Sequence, residues 1–418
     1  MKKVLMKNKP TFLFNDSFKS IIIKVMFPYT ETEDTLAYQE LLPCLLDYMN
    51  NKYPSEEEFV KEKKRLYILS TSCGRTALGN NGFFTFHLVI PDTYALEKDL
   101  LEEQIVFFKN IIYNPLIKDN GFSEFELERE KKNLTIAMDN CMKNIKPYHS
   151  FKVRELIDDQ GILSRDLINH RDLIDKVTPN NLYNYYLDNI KNNQPIVYVM
   201  GNVDEKKITD LCSKHLFEKK YDNKEIEIET DYFLEPRKTI NTVEENSNFK
   251  DSSFSIIYKV RDMVEDDGIY LGVLKSLLTS LSSRLLSQRL RVENELIYSS
   301  KVISYPHYGA FEITNFIDKN NKDKLEEEVY KLIDDFKDIE LITPLLENIK
   351  ERNKLNLLRQ LDDKYFIFDD FVISDLGIDD TVKEYYEKID KVTAEDIASF
   401  VDRLVLDTVY FLKEGENE

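Results

Sequence analysis

Two hydrophobic periods run along the chain, and their succession occurs twice. Asp16 to Val25 reads DSFKSIIIKV and Asp251 to Val260 reads DSSFSIIYKV. Both are apolar runs of strand length, and long-period self-similarity of this kind marks an internal duplication. Each copy is followed by apolar residues at helical spacing, Thr35 to Met49 in the first half and Asp267 to Leu281 in the second. Two β-rich runs come next in each half. They are Leu66 to Ser72 and Phe83 to Ile90, joined through Gly79-Asn80-Asn81-Gly82, then Ile297 to Ser304 and Gly309 to Phe316, joined near Pro306. Both pairs read as hairpins.

The helical period then returns. Charged amphipathic helices are expected over Tyr94 to Ile112 and Asp323 to Ile339, with Asp92 and Asn321 as N-caps. Second helices are expected around Ser123 to Asn140 and Pro344 to Leu361, and late strands at Pro195 to Gly201 and Thr408 to Leu412. The order β-α-β-β-α-α therefore occurs twice. It predicts an α+β fold of two homologous halves, each a mainly antiparallel sheet with helices packed on one face. The charged stretch from Lys219 to Thr239 lacks periodicity, so the expected division is 1–218, a linker at 219–240, and 241–418.

Composition narrows the function. With 57 basic and 76 acidic residues among 418, the formal charge is −19, which argues against a nucleic-acid partner. Cys44, Cys73, Cys141 and Cys212 have no CxxC spacing and read as reduced core thiols. No apolar run is long enough for a membrane span, and Lys7, Lys9 and Pro10 interrupt any signal-like start. A soluble, cytoplasmic protein is the expectation. The histidines, His87, His149, His170, His215 and His307, show no metal-ligand spacing.

Several short segments occur in a telling order. They are Lys52-Tyr53-Pro54-Ser55, Asn114-Pro115-Leu116, Glu128-Arg129-Glu130-Lys131 and Gly201-Asn202-Val203-Asp204, then Ser282-Ser283-Arg284-Leu285, Leu290-Arg291 and Leu296-Ile297-Tyr298-Ser299. In this order and spacing the chain resembles the M16 metallopeptidases, the insulinase or mitochondrial-processing-peptidase-like family. Within it, the chain is most similar in style to the YmfF-type zinc-less homologues of Gram-positive bacteria. The resemblance implies a LuxS/MPP-like metallohydrolase fold.

Catalytic M16 members carry HxxEH on the first long helix. Two histidines one turn apart bind zinc, and the glutamate between them takes a proton from zinc-bound water. Aligned on Tyr53-Pro54-Ser55, the motif would begin at Glu40, where the sequence is Glu40-Leu41-Leu42-Pro43-Cys44. Neither histidine is present, Pro43 stands at the base position, and the later glutamate ligand would fall near Ile136-Ala137. The resemblance therefore implies a chain with no zinc and no catalytic residue of its own. Cys44 invites a cysteine-nucleophile reading, but no histidine is paired with it in the sequence.

The resemblance also carries two substrate-binding positions over to Arg291 and Tyr298, whose guanidinium and phenol would donate to a peptide carbonyl and its oxyanion. The residue types alone leave another reading open. Arg291 could pair with Glu293 or Glu295 while Tyr298 half-fills the core, and Arg284 and Arg289 are neighbouring alternatives. The sequence also departs from the family pattern at Asn294-Glu295, where a basic residue and glycine are usual. Three functions remain in view. The first is a non-catalytic subunit that pairs with a zinc-bearing M16 partner to process a peptide or small protein. The second is a non-proteolytic peptide-binding or scaffold protein in a peptide-maturation or protein-modification pathway. The third is an enzyme with a rebuilt site. Family substrates also bind by strand addition to a sheet edge, here expected near Leu66 to Ser72.

Overall fold

A computed structural model describes residues 2–78, 80–92, 98–159, 161–222, 224–279 and 285–415. Gly79 of the first expected turn, the helix start at Tyr94, Leu281 and the Ser282-Ser283-Arg284 segment lie outside the described residues. The chain forms two compact units. The first comprises residues 1–139 and 165–229, and the second 140–164 and 230–418.

The first unit is built on a five-stranded sheet. Its strands are β1 (Thr11–Phe14), β2 (Ser20–Thr30), β3 (Ser70–Leu78), β4 (Asn81–Pro91) and β5 (Ile196–Gly201). Across the sheet they run β1-β5-β2-β4-β3, with only β1 and β5 parallel. The duplicated segment is the central strand β2, and Ser20 to Phe27 are all buried, which explains a run apolar on both parities. Ile21, Ile23, Val25 and Phe27 face a core shared with α1 (Leu36–Leu46), α2 (Glu56–Arg65) and α3 (Leu101–Tyr113). Phe27 meets Phe86 and Tyr113 edge to face, each at 6.0 Å. A longer helix, α4 (Glu124–Met142), follows α3.

The strand expected from Leu66 starts instead at Ser70. Helix α2 takes the preceding residues: Ser55 caps it through Glu58 N, three glutamates fill its first turn, and Lys63, Lys64 and Arg65 fill its last. Both charge sets suit the helix dipole. Tyr67, at φ 52°, then turns the chain into the strand. Asp92 is buried and accepts from Asn202 Nδ2 at 3.2 Å; the helix start expected after it falls outside the described residues, and α3 begins at Leu101. Within 219–240, Lys224–Ile228 is a strand paired antiparallel with Lys2–Met6.

The second unit repeats the plan. Its strands are β6 (Asn241–Asn246), β7 (Ser252–Val260), β8 (Ser299–Tyr305), β9 (Ala310–Ile317) and β10 (Leu404–Lys413), in the order β6-β10-β7-β9-β8. Again only the outer pair, β6 with β10, is parallel. The second copy of the repeat is the central strand β7, buried along its whole length. One face packs on α6 (Gly268–Thr279), α7 (Lys322–Asp334) and α8 (Ile339–Gln360) through Phe254, Ile256, Phe311 and Ile313. The halves are thus homologous α+β layers, as the duplication predicts.

The other face of this sheet is more polar. It carries Ser253, Ser255, Glu312 and Thr314, all buried, and α5 (Ile145–Ile157) covers part of it. His149 of α5 sits between two serines, with Nδ1 2.6 Å from Ser253 Oγ and Nε2 2.5 Å from Ser255 Oγ. Burial holds this imidazole neutral, its pKa lowered to about 3. Lys259, in the same repeat position as Lys24, is buried and lies 3.4 Å from Asp407 Oδ1, which Arg237 also pairs.

Candidate functional site

The degenerate motif lies on α1, which continues past Pro43 to Leu46. Proline lacks the N–H that would bond back one turn, and its side chain has no proton chemistry. At the first histidine position, Glu40 faces β3 and accepts from Arg75 Nε at 3.1 Å and from Arg75 Nη2. Arg75 Nη1 also reaches the buried Glu31 at 3.2 Å. Burial pushes the Glu31 carboxyl up, and Arg75 and Arg165 oppose that rise. One guanidinium thus balances two carboxylates beside the motif.

At the second histidine position, Cys44 borders a shallow cavity of ≈ 400 Å³ with Pro43, Asp47, Tyr48, Cys73, Arg129 and Glu130. Burial raises the Cys44 thiol, and the charges of Glu130 and Glu40 raise it further. Cys73 is raised by burial as well. Held protonated, both thiols are poor nucleophiles; Cys44 is exposed rather than the core thiol expected from the sequence. Asp47 is likewise pushed up by burial, against bonds from Thr71 and the Cys73 backbone.

The two α4 residues at the cavity belong to the Glu128-Arg129-Glu130-Lys131 segment. Arg129 pairs with Glu126 at 2.7 Å and Glu130 at 2.9 Å, and donates to Tyr48 Oη at 2.7 Å. Ile136 and Ala137, where the later ligand was expected, are exposed about two turns further on and line no part of the cavity. Sequence reasoning missed Arg75, whose ion pair with Glu40 spans 35 residues, and the contact of Arg129 with Tyr48, a hydrogen bond across 81, because neither leaves a local signal. Among the described residues, no group of three or more His, Cys, Asp or Glu is disposed to hold a metal. The histidines are dispersed: His170 pairs with Glu33, His215 with Glu102 and His307 with Asp231. A larger cavity in the same unit, ≈ 710 Å³, is bordered by residues that pair with one another, such as Arg65 with Glu62 and Glu103 and Lys207 with Asp99.

The second-half stretch has the opposite character. Arg291 lies in the helical turn Gln288–Glu293, is exposed, and makes no hydrogen bond or ion pair among the described residues. Tyr298 immediately precedes β8 and is 56 % exposed, so it does not half-fill the core. Neither Glu293 nor Glu295 pairs with Arg291. Arg289 is the structural arginine here, 2.5 Å from Asp335 and 3.5 Å from Glu328, and Arg284 lies outside the described residues. Strand β3 is an edge of its sheet, paired with β4 alone among the described residues.

Two duplicated α+β units, with no HxxEH anywhere in the sequence, have the fold of M16-like peptidases. The comparisons agree. The model of the peptidase M16 inactive domain matches residues 176–352. A protein of Bacillus subtilis (strain 168), described as a probable inactive metalloprotease and named YmfF, is 22% identical over 95% of this chain and 93% of its own. Among solved structures, a conserved protein from Enterococcus faecalis V583 has a TM-score of 0.86 at 18% identity, covering 100% of both chains. A peptidase M16 inactive domain from Pseudomonas fluorescens has a TM-score of 0.73 at 11% identity, over 97% of this chain and 96% of that one. The chain is thus similar to M16 peptidases, and residues 176–352 match that family's inactive domain. Among the described residues, no helix is long and apolar enough to cross a membrane.

Proposed function

We propose that this chain is the non-catalytic member of a two-chain peptidase, and that it supplies Arg291 and Tyr298 to a peptide or small-protein substrate bound by a zinc-bearing M16 partner. The observation that carries this reading is the unpaired state of Arg291. A guanidinium exposed among acidic neighbours, in a chain of net charge −19, would ordinarily find a carboxylate. Its freedom suits a group kept for a ligand, and the exposed Tyr298 adds a second directed donor. Zinc belongs to the partner in this scheme, since the charges at Glu40 and Glu130 are already balanced by Arg75 and Arg129.

A partner needs a surface, and α8 offers one. Leu355 and Leu358 are 60 % and 63 % exposed on its last turns, with Leu361 just beyond. The test is a peptidase assay on a zinc-bearing M16 subunit with and without this chain, after assembly is verified by size. Cleavage only in the mixture, lost with Arg291→Ala, is the expected result. Full activity of the mixture with both Arg291→Ala and Tyr298→Phe would remove the shared-site reading. The edge strand β3 favours a second reading, a non-proteolytic scaffold that captures an extended peptide by strand addition. Stable peptide binding without cleavage in any mixture would select it.

A further inference from the structure

We propose that Arg289, Asn294 and Asn321 are positioning residues that hold the 288–298 turn in one conformation, so that Arg291 and Tyr298 reach a peptide as a fixed pair. This rests on the role proposed above for that pair, and it adds the residues that set its geometry. The turn is not a regular helix end. Gln288–Glu293 is a widened, π-type turn, a form that costs good hydrogen-bond geometry and is frequent at functional sites. Glu295 follows at φ 55°, the left-handed region where a glycine is at ease and a glutamate is strained. Such a backbone persists only when its surroundings determine it.

Those surroundings are specific. Leu290 and Leu296 are buried, and Leu296 N donates to Leu290 O at 2.8 Å, closing the turn across its base. Asn294 Nδ2 donates to Arg289 O at 2.9 Å. Asn321, expected to cap a helix with its side chain, instead donates Nδ2 to Leu296 O at 3.1 Å. Arg289 pairs with Glu328 and Asp335, which ties the turn to α7 and the residue after it. Tyr298 N bonds Phe316 O at 2.8 Å, which fixes where its ring leaves the sheet. Between these anchors Arg291, Val292 and Glu293 stand in solvent. Two arginines two residues apart therefore divide the work: Arg289 is anchored on carboxylates, and that anchor presents Arg291 free. Donors so held are ordered before the ligand arrives, and a displacement of about 1 Å can cost about a hundredfold in rate.

The chain has no tryptophan, so Val292→Trp, at a position 63 % exposed, places a unique fluorophore on the turn. Time-resolved anisotropy of that full-length variant reports local motion without any partner. Adding Arg289→Ala or Asn294→Ala should increase the amplitude of nanosecond motion, and Arg289→Lys, which keeps one ion pair, should fall between. In the mixture with a zinc-bearing M16 subunit and a fluorogenic peptide pool, Arg289→Ala should raise KM about tenfold or more at similar kcat, with partial rescue by Arg289→Lys. Unchanged anisotropy in both alanine variants overturns the proposal. So does increased motion with unchanged KM where Arg291→Ala does raise KM. If Arg291→Ala has no effect while Arg289→Ala loosens the turn, the shared-site role fails and the positioning geometry stands.

Discussion

Arg75 and Arg291 are the guanidiniums of the two regions that the M16 resemblance singles out, and they are in opposite states. Arg75, in the first unit, is enclosed between Glu31 and Glu40. Beside the Glu40 to Cys44 segment the charges are thus matched within the first unit, one guanidinium against two carboxylates. Arg291, at the turn in the second, touches no carboxylate among the described residues.

The largest effect that would sharpen this contrast is on stability. Arg75→Met leaves the half-buried Glu40 without its partner and the buried Glu31 with the charge of Arg165 alone, and should cost about 3 kcal/mol in urea unfolding. A loss below about 1 kcal/mol would mean the first unit is not closed by this pair. Next comes acid. His149 shows that the second unit, too, closes its polar groups away from the turn. Above pH ~6.5 it is neutral folded and unfolded, so it contributes no pH dependence there. Below that, the unfolded chain takes up a proton that the folded chain refuses until about pH 3. Its contribution to stability therefore falls as pH falls through this window, by up to about 1.4 kcal/mol per pH unit. His149→Gln should flatten that slope, and an unaltered slope would show that the buried imidazole is not the acid-sensitive group.

Smaller effects follow at the turn itself. Glu295→Gly relieves the left-handed backbone and should stabilise by about 0.5–1 kcal/mol, read as a higher melting temperature. Arg291→Ala and Tyr298→Phe should leave stability within about 0.5 kcal/mol, since neither side chain is packed or paired. A large loss from either would return them to a structural role and erase the contrast with Arg75.

Much of the fold was legible because its signals are local. The repeated segments at Asp16 and Asp251 are the centres of the two sheets, and their double burial is what makes them apolar on both parities. The helices α1, α4, α6 and α8 follow from their periodicity. What sequence could not show was long-range. Asp92 accepts from Asn202, 110 residues away, and nothing near it in the sequence announces that contact. Helix α2 was missed because its one buried residue, Phe59, gives no stripe, and its caps and terminal charges were the only evidence for it. The absence of HxxEH was plain at Glu40, Pro43 and Cys44. The arginines that answer it came from other elements and had no spacing to betray them.

The placement of α5 has a consequence for how the chain can be made. Residues 140–164 precede much of the first unit in sequence yet belong to the second, and His149 meets serines 104 and 106 residues later. During synthesis, this helix emerges long before the strands it lies against, and β10, which completes that sheet between β6 and β7, comes later still. The first unit can close around Arg165 and β5 while α5 remains unsheltered. Its apolar side, with Val153 and Ile157, is then open to solvent until the strands it packs on have been translated. The order of assembly is thus written into the thread of the chain: the second unit can close only around a helix that has waited for it.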